Sequence, residues 1–213
     1  MIVLLIHLQA GRLTPLWYRV LGDNASYERS LAKIIRLAHR NSAILPDPRM
    51  WIGGPFLLWY ALCMIYLATD HRGFQLKESI KKFLAGRGIE AEDTGAFAYA
   101  EEDDYTDFAA AAATKISQNP LEHKGIFICG SGHGVDIVAN KFRGIRAALC
   151  WNTAVAKQSR EHEDANVLVL PTDWLDARAA EEIIAAWLGT PAGNEERHKR
   201  RIEKIQDIEK RNG

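Results

Sequence analysis

The chain of 213 residues is 47% hydrophobic and 25% charged, which is enough apolar material for a full core and excludes a disordered or fibrous chain. Its formal net charge is zero, which argues against a general nucleic-acid binder, because such proteins carry a basic face for phosphate. The three cysteines, Cys63, Cys129 and Cys150, are odd in number and widely spaced; they offer no disulfide framework and no paired zinc ligands, and they fit a reducing cytoplasm.

The two parts of the chain differ. Residues 1–63 carry seven Lys/Arg and three Asp/Glu, against twenty and twenty-four in residues 64–213. Residues 1–9 are apolar but lack the basic start and small-residue cleavage site of a secretory signal. Residues 30–40 have the spacing of a basic amphipathic helix, and residues 46–55 are turn-like. The uncharged run 51–69 is about as long as a membrane span. Gly53, Gly54 and Pro55 interrupt its start, however, and its second half reads as a buried strand leading into Asp70-His71, so a membrane segment is disfavoured. Two readings of residues 1–63 stay open: a genuine accessory segment, or translated upstream sequence with Met64 as the natural start.

From Met64 onward strand and helix patterns alternate. Residues 64–69 are a short apolar strand, and 74–86 an amphipathic helix with Leu76, Ile80, Phe83 and Leu84 on one face. A weaker strand at 88–94 precedes an alanine-rich helix at 105–117. A strand at 125–129 leads into a short helix at 133–141. Then come a strand at 145–150, a helix at 153–160, a strand at 165–170, and a helix at 176–188 that aligns Ala180, Ile183, Ile184 and Trp187. Five strands separated by helices predict a Rossmann-like α/β domain. It is a doubly wound, five-stranded parallel sheet in three αβα layers, with its site at the carboxyl ends of the strands. A last, highly charged helix at 195–210 carries a narrow stripe of Ile202, Ile205 and Ile208, which needs a covering surface from its own domain or a second subunit.

The most informative stretch is IFICGSGHGVDIVANK, residues 126–141. A β-branched run ends in Cys129, and Gly130, Ser131, Gly132, His133 and Gly134 follow before a helix begins. This sets a thiol at a strand's carboxyl end beside backbone N–H groups free to face an anion. The loop and helix start are expected to lower the thiol pKa, although a lone strand-end cysteine is more often a small core hydrophobe. The spacing is not the dinucleotide fingerprint GxGxxG, because His133-Gly134-Val135 breaks it. Asp70-His71 follows the first strand and so shares the edge with Cys129; taken alone, Asp70 is equally a helix N-cap. His162 lies just before the fifth strand and is expected as a partner on that edge. Arg197 and Arg201, four apart, share a helix face and suit a two-pronged phosphate clamp.

Together these segments resemble the ribose-5-phosphate isomerase B family, which includes the galactose-6-phosphate isomerase subunits. The matching residues are ATDHRGFQLKE (68–78), DDYTDFA (103–109), ICGSGHGVDIVANKFRGIRAALC (128–150), SREHEDANVL (159–168) and ERHKRRIEKI (196–205). The resemblance spans essentially all of 64–213 and none of 1–63. It implies aldose–ketose isomerisation of a sugar phosphate, foremost ribose 5-phosphate to ribulose 5-phosphate, without metal or organic cofactor. It also implies a cytoplasmic homodimer, with a tetramer left open, and active sites at the subunit interface. By position, Cys129 is the base and His162 opens the furanose ring. Asp70 and His71 contact the substrate, and Tyr105 lines the pocket. Ser131 and the amides of Gly130, Gly132, His133 and Gly134 cradle the enediolate oxygens. Arg197 and Arg201 hold the phosphate from the partner chain.

The chain departs from the family pattern near that site. Glu163 stands where Asn usually contacts the sugar, and Asp173 stands where an Arg often contacts phosphate. His133 replaces an aliphatic, and Asp136 a small polar residue. Val135 occupies the position of the Glu that some members use in place of the cysteine, which favours a cysteine mechanism here. The departures keep two alternatives open: an isomerase of another pentose or hexose phosphate, or a non-catalytic sugar-phosphate-binding subunit.

Overall fold

The computed structural model describes residues 64–212 and the backbone of two short strands near the start of the chain. The chain divides into two compact units, Met1–Leu62 and Cys63–Gly213. In the first, β1 (Ile6–Gln9) pairs antiparallel with β2 (Arg12–Pro15). The sequence expectations for 30–40, 46–55 and the first part of the uncharged run, 51–63, lie outside the described residues.

The second unit is a doubly wound α/β domain. Its strands are β3 (Ile65–Thr69), β4 (Ala91–Asp93), β5 (Lys124–Cys129), β6 (Ala147–Leu149) and β7 (Val167–Pro171), in the order β4-β3-β5-β7-β6. All four pairings are parallel. The connecting helices are α1 (Phe74–Gly86), α2 (Tyr105–Gln118), α3 (His133–Ala139), α4 (Thr153–Glu163) and α5 (Ala177–Leu188). A final helix, α6 (Glu196–Asn212), follows. The edge strands β4 and β6 are shorter than the sequence pattern suggests, because each has one neighbour to complete its backbone hydrogen bonds rather than two.

The sheet separates two apolar layers. Ile65, Leu67, Ile126, Ile128, Leu168 and Leu170 face one side, with Ile80, Leu84, Ile183, Ile184 and Trp187 of α1 and α5 packed on them. Tyr66, Ala68, Phe127, Cys129, Val167 and Val169 face the other, against Ala109, Ala112, Ala113 and Ile116 of α2 and Val135 and Ala139 of α3. Successive strand residues alternate between the layers, as a pleat requires. The alanine face of α2 explains its close approach to the sheet.

Lys77 of α1 is wholly buried. Its ammonium donates to Asp93 Oδ1 at 2.6 Å and to the Ala96 carbonyl at 2.5 Å. A buried ammonium must be fully paired, and this one ties α1 to the loop after β4 at the carboxyl edge. Asp93 is held below the usual carboxylate range because its hydrogen bonds to Lys77, Lys81 and the Gly95 amide outweigh the opposing effect of its burial. Among the described residues, no helix is long and apolar enough to cross a membrane.

Candidate active site

β3 and β5 are neighbours, with Thr69 opposite Ile128. The chain therefore delivers Asp70 and Cys129, the next residue on each strand, side by side at the carboxyl edge. Cys129 Sγ donates to Asp70 Oδ2 at 3.1 Å. Asp70 Oδ1 accepts the amides of Arg72 (3.1 Å) and Gly73 (3.3 Å). Asp70 is thus both the cap of the turn His71–Gly73 and the thiol's partner, so the cap and the shared edge with Cys129 hold together.

Burial pushes the Cys129 thiol up, and the hydrogen bond and negative charge of Asp70 push it further, to about 12. The amides of Gly132 and Gly130 act in the expected lowering direction. Desolvation and the adjacent carboxylate outweigh them, so the expected net lowering is corrected: the resting group is a neutral thiol. Its proton stays on in the folded protein at a pH where the unfolded chain would release it. The stability linked to this group is therefore fully present below the ordinary thiol value and is lost as pH rises towards about 12. Asp70→Asn is expected to bring the titration down while leaving it above an ordinary thiol, because burial remains. Thiolate absorbance against pH, in a chain with Cys129 as its sole cysteine, reads this directly. An unmoved titration would remove Asp70 as the charged neighbour.

The glycine loop closes the site from one side. Gly132 sits at φ +77, the left-handed region that favours glycine, and a Cβ there would also strike Leu149 and Val169. Gly134 lies against the ring of Tyr105, the first residue of α2. Ser131 Oγ accepts weakly from the His133 amide at 3.4 Å, and the His133 side chain is exposed.

His71 is held by Asp103, a residue the sequence reading did not single out. Asp103 Oδ1 accepts the His71 backbone amide at 3.1 Å and meets its ring Nδ1 at 2.7 Å. A carboxylate accepts, so Nδ1 carries the proton of this bond and Nε2 is the ring nitrogen left to face a ligand. The only signal of Asp103 in the sequence was its place in DDYTDFA.

The remaining predicted residues lie elsewhere in the protomer. α4 starts after the carboxyl end of β6 and runs back to the amino end of β7, where Val167 stands opposite Gly125 and Ala147. His162 and Glu163 are on its last turn. The Glu163 carbonyl accepts from Arg146 Nε at 2.8 Å, just ahead of β6. The expectation that His162 shares an edge with Cys129 is therefore corrected: within one chain it lies at the opposite, amino edge. The His162 ring packs on that of His198, 4.2 Å between centroids, which joins α4 to the first turn of α6. His198 is buried, at 3% exposure, with Nδ1 unpartnered. Arg197 pairs with Glu195 at 2.7 Å, and Arg201 is exposed. His162, Glu163, Arg197 and Arg201 thus form a second group, away from Cys129, Asp70, His71, Tyr105 and the Gly130–Gly134 loop.

Asp173 follows β7 at the carboxyl edge and pairs with Arg72, Nη2 to Oδ1 at 2.6 Å. Asp136, in the first turn of α3, has a buried Oδ1 without a hydrogen bond, and burial raises its pKa. Among the described residues, no cluster of three His, Cys, Asp or Glu side chains could hold a metal ion.

A thiol, a carboxylate and a loop of backbone donors at the carboxyl edge of a doubly wound sheet define an α/β domain equipped for proton transfer on a small anionic molecule. A family model described as Ribose/Galactose Isomerase matches residues 65–205. The ribose-5-phosphate isomerase B of Escherichia coli is 40% identical over 147 residues, covering 69% of this chain and 97% of that one. The protein of that name from Mycolicibacterium paratuberculosis is 38% identical over 146 residues, covering 68% and 91%. Among solved structures, ribose-5-phosphate isomerase B from Mycoplasma genitalium with bound ribulose-5-phosphate superposes with a TM-score of 0.68 at 36% identity, covering 70% of this chain and 97% of that one. The Clostridium thermocellum enzyme gives 0.67 at 40%, covering 70% and 99%. The chain belongs to the ribose/galactose isomerase family.

Proposed function

We propose that residues 64–213 form an aldose–ketose isomerase domain that interconverts ribose 5-phosphate and ribulose 5-phosphate through an enediolate, with residues 1–63 as an extension outside it. The observation that carries this reading is the Cys129–Asp70 pair at the lip of the glycine loop. Isomerisation moves one proton between adjacent carbons. It needs a base between them and fixed donors where the oxyanion develops. The sulfur must lose its own proton before it can take one from carbon, and Asp70 Oδ2 is the acceptor in reach. The thiolate then removes the proton next to the carbonyl and returns it to the neighbouring carbon, while the proton of the hydroxyl on the first carbon passes to the former carbonyl oxygen, which becomes the new hydroxyl. The loop amides and Ser131 hold the enediolate oxygens, and Nε2 of His71 meets a substrate hydroxyl.

The second group completes the site from another copy of the chain. His162, placed at the amino edge, reaches the furanose of a neighbouring protomer, with Arg197 and Arg201 on its phosphate and Glu163 at the rim. The stripe on α6 supports this: Ile205 and Ile208 are 44% and 50% exposed, and apolar rows of this kind are ordinarily covered. The assembly is a cytoplasmic homodimer. The purified chain is expected to convert ribose 5-phosphate to ribulose 5-phosphate without added metal or cofactor. Turnover of a different pentose or hexose phosphate in its place would reassign the substrate, and binding without turnover would make it a non-catalytic subunit.

A further inference from the structure

Arg72 follows His71 in the turn at the carboxyl edge, and its guanidinium takes no part in the proton transfers. Its side chain crosses from the turn after β3 towards the turn after β7, where Nη2 donates to Asp173 Oδ1 at 2.6 Å. The loop after β5 passes beneath it. A Cβ placed on Gly130 would land on the Arg72 guanidinium, so Gly130 has to lack a side chain for Arg72 to lie there. The Asp173 amide donates to the Gly130 carbonyl at 3.0 Å, which fixes the acceptor side of the pair to the same loop. The guanidinium is therefore held over the residue next to Cys129.

Stability does not account for this arrangement. The side chains are 52% and 34% exposed, and a pair open to water contributes about 0–1 kcal/mol. The donor count points elsewhere. A guanidinium has five N–H donors, and among the described residues Arg72 commits one of them, to a single oxygen of Asp173. Asp70 takes none of the others; its oxygens accept from Cys129 and from the amides of Arg72 and Gly73. A cation with spare donors is thus presented at the open edge of the sheet where the thiol sits. A phosphate monoester offers several charged oxygens in the geometry that a guanidinium binds through two N–H groups at once.

We propose that Arg72 is a substrate-binding residue that grips the phosphate of the sugar phosphate, and that Asp173 holds it in position over the loop. The inference rests on the sugar-phosphate reading of the site and adds to it a cation from the protomer that carries the thiol. Binding replaces or shares the single contact to Asp173 with a two-pronged contact to phosphate. The negative charge at position 173 then serves to orient a cation rather than to repel the substrate.

Calorimetry with inorganic phosphate on the full chain tests this without requiring turnover. Arg72→Gln is expected to weaken phosphate binding about tenfold or more, Arg72→Lys to recover part of the loss, and Asp173→Asn, whose amide oxygen can still accept from Arg72, to weaken binding clearly less than Arg72→Gln. With ribose 5-phosphate as substrate, the Arg72→Gln loss should fall on KM rather than kcat. Unchanged phosphate affinity in Arg72→Gln, equal losses in Arg72→Gln and Asp173→Asn, or a loss confined to kcat would each overturn the assignment. Thermal unfolding of every variant identifies any that is simply misfolded, and Arg72→Lys keeps the test decisive if Arg72→Gln is. Failure of the isomerase reading would instead show as absent turnover in a parent chain that still binds phosphate through Arg72.

Discussion

Cys129→Ala is expected to lower kcat for ribose 5-phosphate isomerisation by between about a hundredfold and ten-thousandfold, the range ordinarily attributed to a positioned base. The geometry makes the effect specific to turnover. The Cys129 side chain packs in the layer with Val135 and Val169, and alanine removes only one sulfur atom there, so the fold should survive. The phosphate contacts lie on other residues, so KM should change far less than kcat. Loss of the thiol also leaves Asp70 without the donor it accepts from at 3.1 Å. A substrate hydroxyl or water can replace that bond, but neither can act as a base between two carbons. Full turnover by Cys129→Ala, measured as ribulose 5-phosphate formed, would sink the cysteine mechanism while leaving the family assignment intact.

The second large effect concerns mixed assemblies. Cys129→Ala and His162→Ala are each expected to be nearly inactive alone. Mixed in equal amounts and allowed to exchange subunits, they should recover about one quarter of the parental activity, since half the dimers are hybrid and each hybrid has one intact site. This follows from the direction of α4, which carries His162 away from the edge that bears Cys129. If both residues served the same site within one chain, no mixture could regain activity. Recovery would establish at once that the protein assembles and that each site draws on two chains.

Much of this was legible in the sequence, and the exceptions have physical causes. The helix Phe74–Gly86 begins and ends where the periodicity places it, and the face of α5 buries the four residues aligned by spacing, Ala180, Ile183, Ile184 and Trp187. Both have strong apolar stripes facing the sheet. β4 came out short because pairing, not composition, sets where an edge strand stops. The expected lowering of the Cys129 pKa rested on the loop amides, which the sequence does reveal. It omitted a carboxylate fifty-nine residues away and the depth of burial. The placement of His162 could have been read from the chain, because a residue just ahead of a parallel strand lies at its amino end. The Arg72–Asp173 pair could not. It joins positions 101 residues apart and depends on the strand order, which carries β5 between β3 and β7.

The bond between Cys129 and Asp70 has a further consequence, for durability. Peroxides and alkylating agents attack thiolate far faster than thiol, and at neutral pH burial and the carboxylate keep this sulfur protonated. In the proposed mechanism the sulfur is spared between turnovers and exposed to oxidants only in the brief interval when its proton has moved to Asp70. The residue that makes the cysteine a poor nucleophile at rest thereby also slows its oxidation.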